Sequence, residues 1–322
     1  MSKAIILNKT GNANQLKLSD WKPRNLNDHE VEIKQTFAGV NYVDIYFRSG
    51  IYKPPYLPII LGREATGEII DVGKKVLSPK IGDRVCYVSH FGGYSERNIV
   101  PADITIPVPN GLSDEVVAGV MLKGMTVQYL LTQTYKVTNK TKILIHAAAG
   151  GVGLIACQWA KHLGATVIGT VGSEEKAAIA KQNGCDYVIN YEKDNIEKNI
   201  IEITNGILCD AVIDGIGKKT WEQSIKCVRP YGKCITFGLA SGPLPNIQFE
   251  DIPVGKYITR GTVGTVINDE QLLEKNSKRY FKAINDFIIK PKIYKEIKLE
   301  NAREAHEILE KRVNIGSIVL KP

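Results

Sequence analysis

The chain has 322 residues, of which 43% are hydrophobic and 24% are charged, and its formal net charge is +8. These values are typical of soluble globular proteins, and the length predicts two domains rather than one. No apolar run approaches the ~20 residues that a membrane-spanning helix needs, and no signal peptide is recognised, so the sequence excludes a membrane span and indicates a cytoplasmic protein. The six cysteines include no C-x-x-C pair, and we expect reduced, buried thiols.

The first third of the chain is predicted to be rich in β-strands, with Gly and Pro residues at the turns. Residues 31–34 alternate apolar and charged side chains, as a half-buried strand does, and residues 59–73 form a strand pattern with glycines near its ends. Residues 81–88 are a turn that leads into another strand. Short strands at this spacing predict a small barrel.

From about Lys123 the pattern changes to strand-like runs that alternate with helix-like runs. This alternation indicates repeated β–α units and therefore a parallel sheet. The strand-like runs cover residues 142–146, 165–170, 186–190, 209–214 and 232–238, and residues 257–263 are a candidate sixth strand.

The end of the chain leaves this pattern. Residues 300–312 have the apolar spacing of an amphipathic helix, and residues 317–320 form a strand pattern. Because a single terminal strand pairs most easily with the β-rich region, the parallel-sheet domain is predicted to be inserted into the other domain. The sequence therefore predicts an α/β protein whose β-rich domain comprises 1–123 plus 267–322 and whose parallel-sheet domain comprises 124–266.

A glycine-rich turn, A-A-A-G-G-V-G at 147–153, joins the strand at 142–146 to a helix over 152–163. This arrangement holds the pyrophosphate of a dinucleotide in doubly wound domains, with the phosphates at the helix N-terminus. The alternative is a glycine turn that only allows tight packing of the strand and the helix. The residues predicted to contact the pyrophosphate are Ala149, Gly150, Gly151 and Val152.

The strand at 165–170 determines which dinucleotide is expected. An acid at its tip would bind the ribose hydroxyls of NAD, but the chain continues with Gly172 and Ser173, and Lys176 follows. Donors and a cation suit a 2′-phosphate, so NADPH is the predicted cofactor. Lys176 as an ordinary surface lysine is the alternative. Tyr191, after the third strand, is predicted to flank the adenosine phosphate, and the next strand ends contribute Ile216, Phe237 and Gly238.

Several segments together resemble the quinone oxidoreductases, the zeta-crystallin-like, zinc-free branch of the medium-chain dehydrogenases/reductases. They are the segment 41–50, G-x-E-A-x-G at 62–67, G-D-R-V at 82–85, the glycine turn, and A-H-E-I-L-E at 305–310. The resemblance implies a GroES-like catalytic domain with an inserted Rossmann domain, and a homodimer. It also implies a small quinone as substrate.

The zinc-dependent members of the superfamily differ in their ligands. They carry a G-H-E motif where this chain has Gly62-Arg63-Glu64, and they have a four-cysteine lobe that is absent here. No Cys/His set of tetrahedral type can be assembled, so no zinc is predicted. Arg63 stands where close relatives usually have a small polar residue, and we expect it to pair with Glu64 or with an outer phosphate.

Reduction of a quinone can proceed without a metal, because the acceptor is strongly electrophilic and needs mainly positioning and hydrogen-bond donors. The resemblance directs attention to Asn41, Tyr46 and Tyr52 as donors, although the tyrosines could simply pack and Asn41 could simply shape a turn. Asp44 is expected to orient a neighbour or relay a proton, but not to act as a general acid, because an exposed aspartate is ionised at neutral pH. The resemblance also implies cofactor contacts from Thr126, Gln128 and Arg312.

The predicted function is NADPH-dependent reduction of a quinone. An NADPH-dependent enone or enal reductase is the first alternative, since the cofactor site would be the same and only the acceptor pocket would differ. An RNA-binding protein is the second, because residues 274–298 hold eight basic and three acidic residues. A solvated helix surface accounts for the same charges.

Overall fold

A computed structural model describes residues 1–322 and divides the chain into two compact units. The first, which we call the catalytic unit, comprises Met1–Leu122, Val263–Phe281 and Pro291–Pro322. The second, which we call the nucleotide unit, comprises Lys123–Thr262 and Lys282–Lys290. No helix is both long enough and apolar enough to cross a membrane.

Sixteen strands and nine helices make up the two units. In chain order the strands are β1 (Ser2–Leu7), β2 (Leu16–Trp21), β3 (Glu30–Val40), β4 (Ile59–Ile60), β5 (Glu64–Val72), β6 (Arg84–Val88), β7 (Arg97–Pro101), β8 (Ile106–Pro107), β9 (Lys142–Ile145), β10 (Thr166–Val171), β11 (Tyr187–Asn190), β12 (Cys209–Asp214), β13 (Val228–Thr236), β14 (Tyr257–Arg260), β15 (Ile293–Lys298) and β16 (Ser317–Lys321). The helices are α1 (Tyr42–Ser49), α2 (Asp114–Tyr129), α3 (Gly151–His162), α4 (Glu174–Gln182), α5 (Ile196–Ile203), α6 (Trp221–Lys226), α7 (Gly264–Ile267), α8 (Glu270–Asn285) and α9 (Ala302–Lys311).

The catalytic unit contains two sheets. One has the order β2-β1-β4, and the other has the order β15-β16-β3-β5-β6-β8, with β7 also paired to β3. Strand β16 runs antiparallel to β3, with Ile318 opposite Val40, so the terminal strand returns to the first part of the chain as predicted. The alternation predicted for residues 31–34 is present only in part. Val31 and Ile33 are fully buried in the core of this unit and Lys34 is exposed, but Glu32 is also buried, where it pairs with Arg97 at 2.8 Å.

The nucleotide unit is built on a six-stranded parallel sheet with the order β11-β10-β9-β12-β13-β14. The sixth strand predicted from residues 257–263 is therefore present as β14. This order is that of a doubly wound sheet, in which the connections reverse between β9 and β12. Ligands of such sheets bind outside the carboxyl ends of the strands at that point. The α/β fold class with an inserted parallel-sheet domain is confirmed.

The predicted domain boundaries at 123/124 and 266/267 remain a prediction. In the structure the units change at Leu122/Lys123 and at Thr262/Val263. The short segment Lys282–Lys290 also groups with the nucleotide unit, where the backbone N–H of Lys290 donates to Gln158 Oε1 at 2.6 Å. All six cysteines are buried and unbridged.

Candidate functional site

The glycine-rich turn is fixed by hydrogen bonds to both neighbouring strands of the nucleotide unit. The N–H of His146 donates to Ile213 O at 3.1 Å, and the N–H of Ala148 donates to Thr170 O at 3.0 Å. Gly150 is the N-cap of α3, and no acidic side chain lies in the first turn of this helix. The first N–H groups of α3 have no partners within the helix, so the turn presents them as an anion site.

Two glycines of the turn differ in how much space surrounds them. A Cβ on Gly153 would overlap the carbonyl oxygen of Ala147, whereas a Cβ on Gly150 would lie 3.1 Å from the same atom. Gly153 is therefore required by the close approach of α3 to the turn. Gly150 is crowded by the same backbone oxygen less severely than Gly153.

The tip of β10 brings together three of the residues predicted to recognise a 2′-phosphate. Ser173 is the N-cap of α4, where its Oγ accepts from the N–H of Lys176 at 3.2 Å. Gly172 lies against Tyr191, since a Cβ there would be 2.5 Å from the tyrosine hydroxyl. Because Tyr191 is 45% exposed, its ring can cover a bound adenosine group.

A further cation at this edge was missed by the sequence reasoning. Lys193 Nζ donates to Glu174 Oε1 at 2.8 Å, and Asn190 Nδ2 donates to the same oxygen at 3.0 Å. Glu174 is exposed, but its carboxylate is held by these two residues. Because the negative charge of Glu174 is neutralised by Lys193, it repels a phosphate bound at this strand tip less strongly. The sequence near Ser173 does not indicate Lys193, because Ser173 follows β10 and Lys193 follows β11.

The ends of β9, β10 and β12 are tied to one another by a buried polar network. Asp214 accepts from the N–H groups of Ile216 and Gly217 at 2.8 and 3.1 Å, and from Ser224 Oγ at 2.6 Å. Ser224 also contacts His146, whose ring reaches Thr170 on the other side. This buried network sets the positions of three strand ends at once. Gly238 packs directly on Gly215, and the ring of Phe237 lies over Gly215.

The nucleotide unit fits a dinucleotide in one further respect. Gln128, on α2, is 2% exposed, and its Oε1 has no hydrogen-bond partner. A buried, unpartnered acceptor costs stability unless a ligand supplies a donor. Thr126 lies half-buried on the same helix. Arg312 belongs to the catalytic unit, where it lies beside the Tyr42 hydroxyl at the end of α9.

In the catalytic unit, Asn41 is the N-cap of α1 and its amide group is already engaged. Its Nδ2 donates to Glu64 Oε1 at 2.7 Å, while Glu64 Oε2 accepts from the N–H of Leu122 at 2.6 Å. Asn41 and Glu64 are both buried. The structure therefore gives Asn41 a positioning task between α1 and β5, in addition to the capping box that it forms with Asp44 at the start of α1.

The expectation that Asp44 is exposed is wrong. Asp44 is fully buried at the start of α1, and its Oδ2 accepts from the N–H of Asn41 and from the Tyr94 hydroxyl, both at 2.9 Å. Oδ1 has no partner. Burial raises the pKa of Asp44 to about 7, although both hydrogen bonds oppose this change. Asp44 can therefore hold a proton near neutral pH, which the reasoning from an exposed aspartate excluded.

A buried chain of hydrogen bonds extends from Asp44 through Tyr94. The Tyr94 hydroxyl lies 3.1 Å from His306 Nε2, and Arg48 Nη1 lies 3.4 Å from His306 Nδ1. Burial, with the neighbouring Arg48 guanidinium, lowers the pKa of His306 to about 3, so the imidazole is neutral. Because arginine can only donate, Nδ1 is the acceptor and Nε2 carries the hydrogen. Arg48 therefore donates to His306, His306 donates to Tyr94, and Tyr94 donates to Asp44.

At the end of this hydrogen-bond series farthest from Asp44, Arg48, which is 2% exposed, forms an ion pair with Glu310 at 2.5 Å. The sequence reasoning assigned no role to Tyr94, His306 or Arg48. The segments that contain Arg48 and His306 were noticed only as family motifs. Their partners lie more than 200 residues apart in the chain, so no local pattern could have linked them.

The two tyrosines predicted as donors lie in an aromatic cluster, which we define as Tyr46, Phe47, Tyr52 and Phe91. The ring centroids of Tyr46 and Tyr52 are 5.1 Å apart, those of Phe47 and Tyr52 are 5.6 Å apart, and those of Phe47 and Phe91 are 4.9 Å apart. All three pairs meet edge to face, the favourable arrangement of aromatic rings. Packing is thus established for both tyrosines, and it orients Tyr52.

Arg63 does not pair with Glu64, as one expectation had it, because both carboxylate oxygens of Glu64 are bound by Asn41 and Leu122. Its guanidinium carbon lies 4.3 Å from the ring centroid of Phe91 and 5.5 Å from that of Phe47. The side chain therefore belongs to the edge of the aromatic cluster.

A zinc ion does not fit the residues at this position. Arg63, which bears no lone pair for a metal, replaces the histidine of the G-H-E motif, and no group of three or more His, Cys, Asp or Glu side chains is arranged around a common point.

Comparison with known proteins gives two family matches. Residues 27–110 match the alcohol dehydrogenase GroES-like domain, and residues 151–276 match the zinc-binding dehydrogenase family. The chain is 40% identical to a quinone oxidoreductase of Pseudomonas aeruginosa over the full length of both, and 40% identical to a 2-haloacrylate reductase of a Burkholderia species, covering 100% of this chain and 99% of the relative. The structure of Escherichia coli quinone oxidoreductase complexed with NADPH superposes with a TM-score of 0.97 at 38% identity, covering 99% and 100% of the two chains.

Proposed function

This chain belongs to the quinone oxidoreductase family of the medium-chain dehydrogenases/reductases, and we propose that it transfers hydride from NADPH to a quinone. The protein is an oxidoreductase, and NADPH is its cofactor. The observation that carries the proposal for proton delivery is the buried carboxyl of Asp44, which retains a proton near neutral pH and has one oxygen without a partner. The quinone as acceptor is supported by the relatives named quinone oxidoreductase.

Different residues of the nucleotide unit are proposed to bind different parts of NADPH. We propose that the N–H groups at Gly151 and Val152 bind the pyrophosphate, and that Ser173 and Lys176 bind the 2′-phosphate. Tyr191 covers the adenosine end. Lys193 neutralises the carboxylate of Glu174 at the same edge. NADPH, when bound, supplies the hydride.

Hydride transfer adds two electrons and one hydrogen to a quinone, and the resulting hydroquinone anion takes up one proton. We propose that Asp44 supplies this proton from Oδ1 and is recharged from solvent. Tyr94 orients Asp44, and His306 and Arg48 orient Tyr94, so these three are positioning residues. Tyr52 and Tyr46 are proposed to contact the acceptor oxygen, and Asn41 holds the start of α1 in place.

Reduction of a conjugated carbon–carbon double bond is the second candidate. It is favoured by the relative named 2-haloacrylate reductase, whose identity to this chain equals that of the relative named quinone oxidoreductase. Both reactions use the same hydride and the same proton. The two reactions differ in which atom of the acceptor receives the hydride and which atom receives the proton.

One steady-state experiment separates these candidates. Oxidation of NADPH and of NADH is followed with a panel of neutral quinones and a panel of enones. Preference for NADPH together with turnover of quinones supports the proposal. Turnover of enones without quinones would assign the second candidate, and equal use of NADH would contradict the assignment of Ser173 and Lys176.

A cytoplasmic homodimer remains part of the proposal. Strand β14 is the outermost strand of the parallel sheet, and apolar side chains near it are exposed, with Val254 at 100%, Phe249 at 83% and Tyr257 at 53%. An uncovered strand edge flanked by apolar groups supports pairing with another chain. Light scattering after gel filtration should give twice the mass of the 35.6 kDa chain; a monomer at micromolar concentration would contradict it.

A further inference from the structure

Arg63 carries a positive charge into the edge of the aromatic cluster without an ion-pair partner. Its Nη2 donates to Ser89 Oγ at 2.8 Å, its Nε is buried without any partner, and no protein group accepts from Nη1. Three other half-buried or buried arginines of the same unit each hold a carboxylate: Arg48 pairs with Glu310, Arg84 with Asp114 and Arg97 with Glu32.

The position of the guanidinium is fixed. The N–H of Ser89 donates to the carbonyl oxygen of Arg63 at 2.5 Å, so Arg63 and Ser89 are joined through backbone and side chain together. The guanidinium also lies on Phe91. A planar cation held on an aromatic face keeps its remaining N–H groups in one direction, at little entropic cost when a ligand binds.

The charged and titratable groups around Arg63 leave its charge incompletely neutralised. Asp44 attracts it but makes no ion pair with it, and the carboxylate of Glu64 is bound elsewhere. Burial lowers the pKa of His90, which keeps that imidazole neutral, and the Tyr87 hydroxyl is hydrogen-bonded to Gln35. A half-buried cation without a close counter-ion is costly, and an anionic ligand removes this cost.

We propose that Arg63 extends the acceptors of this enzyme beyond neutral quinones to α,β-unsaturated acids, whose carboxylate it binds. The inference rests on the proposed function, because it concerns the acceptor of the same reaction, and Phe47 and Tyr52 connect Arg63 to the proposed acceptor contacts. A carboxylate matches the planar donor fork of a guanidinium, which a neutral carbonyl matches less well.

The reaction balances with the components already proposed. Hydride from NADPH adds to the carbon β to the carboxylate, and the π-electron pair moves onto the carboxylate oxygens as an enediolate. Arg63 stabilises the added negative charge on those oxygens. A proton, held at Asp44 and replaced from solvent, then adds to the α-carbon, so the double bond gains one hydride and one proton.

The test compares acids with their methyl esters in the wild type, Arg63→Gln and Arg63→Lys. For 2-chloroacrylate against its ester, loss of a charged hydrogen bond should lower the acid-to-ester ratio of kcat/KM by about 10- to 100-fold in Arg63→Gln, with Arg63→Lys between the two. Calorimetry with benzoate and methyl benzoate gives a readout that needs no turnover: benzoate binding should weaken about 10-fold or more in Arg63→Gln, and ester binding should not change.

Arg303→Gln is the matched control, because it removes the same charge from an exposed helix position in the same unit; it should leave all ratios unchanged. Equal losses for acid and ester in Arg63→Gln would overturn the inference by showing a structural role. Weaker NADPH binding in Arg63→Gln without a change in the acid-to-ester ratio would also overturn it, since the anion would then be a cofactor phosphate. Turnover of neutral quinones by the wild type tests the proposed function separately.

Discussion

Replacement of Asp44 by asparagine should change the stability of the protein relative to the wild type by an amount that becomes more favourable as pH rises. The folded protein holds a proton on Asp44 up to about pH 7, whereas the same carboxyl in the unfolded chain ionises near 3.8. The folded state therefore binds more protons than the unfolded state between these values. The free energy of unfolding of the wild type consequently falls as pH rises through this interval and becomes level above about pH 7.

The magnitude follows from the width of the interval. Between about pH 5 and pH 7 the folded state holds nearly one extra proton over two pH units, each equivalent to about 1.4 kcal/mol, which gives about 3 kcal/mol. The side chain in Asp44→Asn cannot ionise, so the free energy of unfolding of this variant does not fall with pH for this reason. The buried Nδ2 that replaces Oδ1 costs about 1–3 kcal/mol at every pH, so the pH dependence of the difference is the signal rather than its absolute value.

Urea unfolding at pH 5 and pH 8 measures this difference, followed by circular dichroism and by fluorescence so that departure from two-state behaviour is detected. The advantage of Asp44→Asn over the wild type should grow by about 3 kcal/mol between the two conditions. Asp103→Asn, which removes an exposed carboxylate from the same unit, is the control and should show no such growth. A difference that is equal at both pH values would refute the argument from burial.

Three further predictions concern the polar chain and the cofactor site. Tyr94→Phe removes a donor to ionised Asp44, so the pKa of Asp44 should rise by about one unit and the alkaline limb of the kcat profile should move upward by as much; an unmoved limb would show that Asp44 does not titrate in turnover. Lys176→Ala should raise KM for NADPH by about 10-fold and leave KM for NADH unchanged, and an unchanged preference would place the 2′-phosphate elsewhere. Gly153→Ala should lower stability in thermal unfolding by about 1–3 kcal/mol because its Cβ would overlap a backbone oxygen, and Gly150→Ala should show a smaller loss because its Cβ would lie 3.1 Å from the same atom.

The sequence predicted the nucleotide unit well because its signals are local. A strand, a glycine turn and a helix follow one another over about 20 residues, and the closeness of α3 to the turn requires Gly153 in a way that a reader of the chain can anticipate. The absence of an acid at the tip of β10 is also a local signal, because the residues that follow the strand can be read directly from the sequence. The terminal strand was placed correctly because a lone strand needs a partner, and β3 supplies it.

The catalytic unit was predicted less completely, since its site is assembled from distant segments. Nothing near Asp44 in the chain indicates that Tyr94 and His306 cover it, so it was taken to be exposed and ionised. The expected pairing of Arg63 with Glu64 failed for the same reason, because Asn41 and Leu122 reach that carboxylate first.

The sequence by itself determined the fold class, the family and the dinucleotide turn, because backbone conformation and helix termini depend on residues close together in the chain. Only the tertiary structure decided which carboxyl keeps its proton and which cation has no counter-ion. Those properties depend on exclusion of water and on the distance between charges, and both are set by side chains that folding brings together from far along the chain.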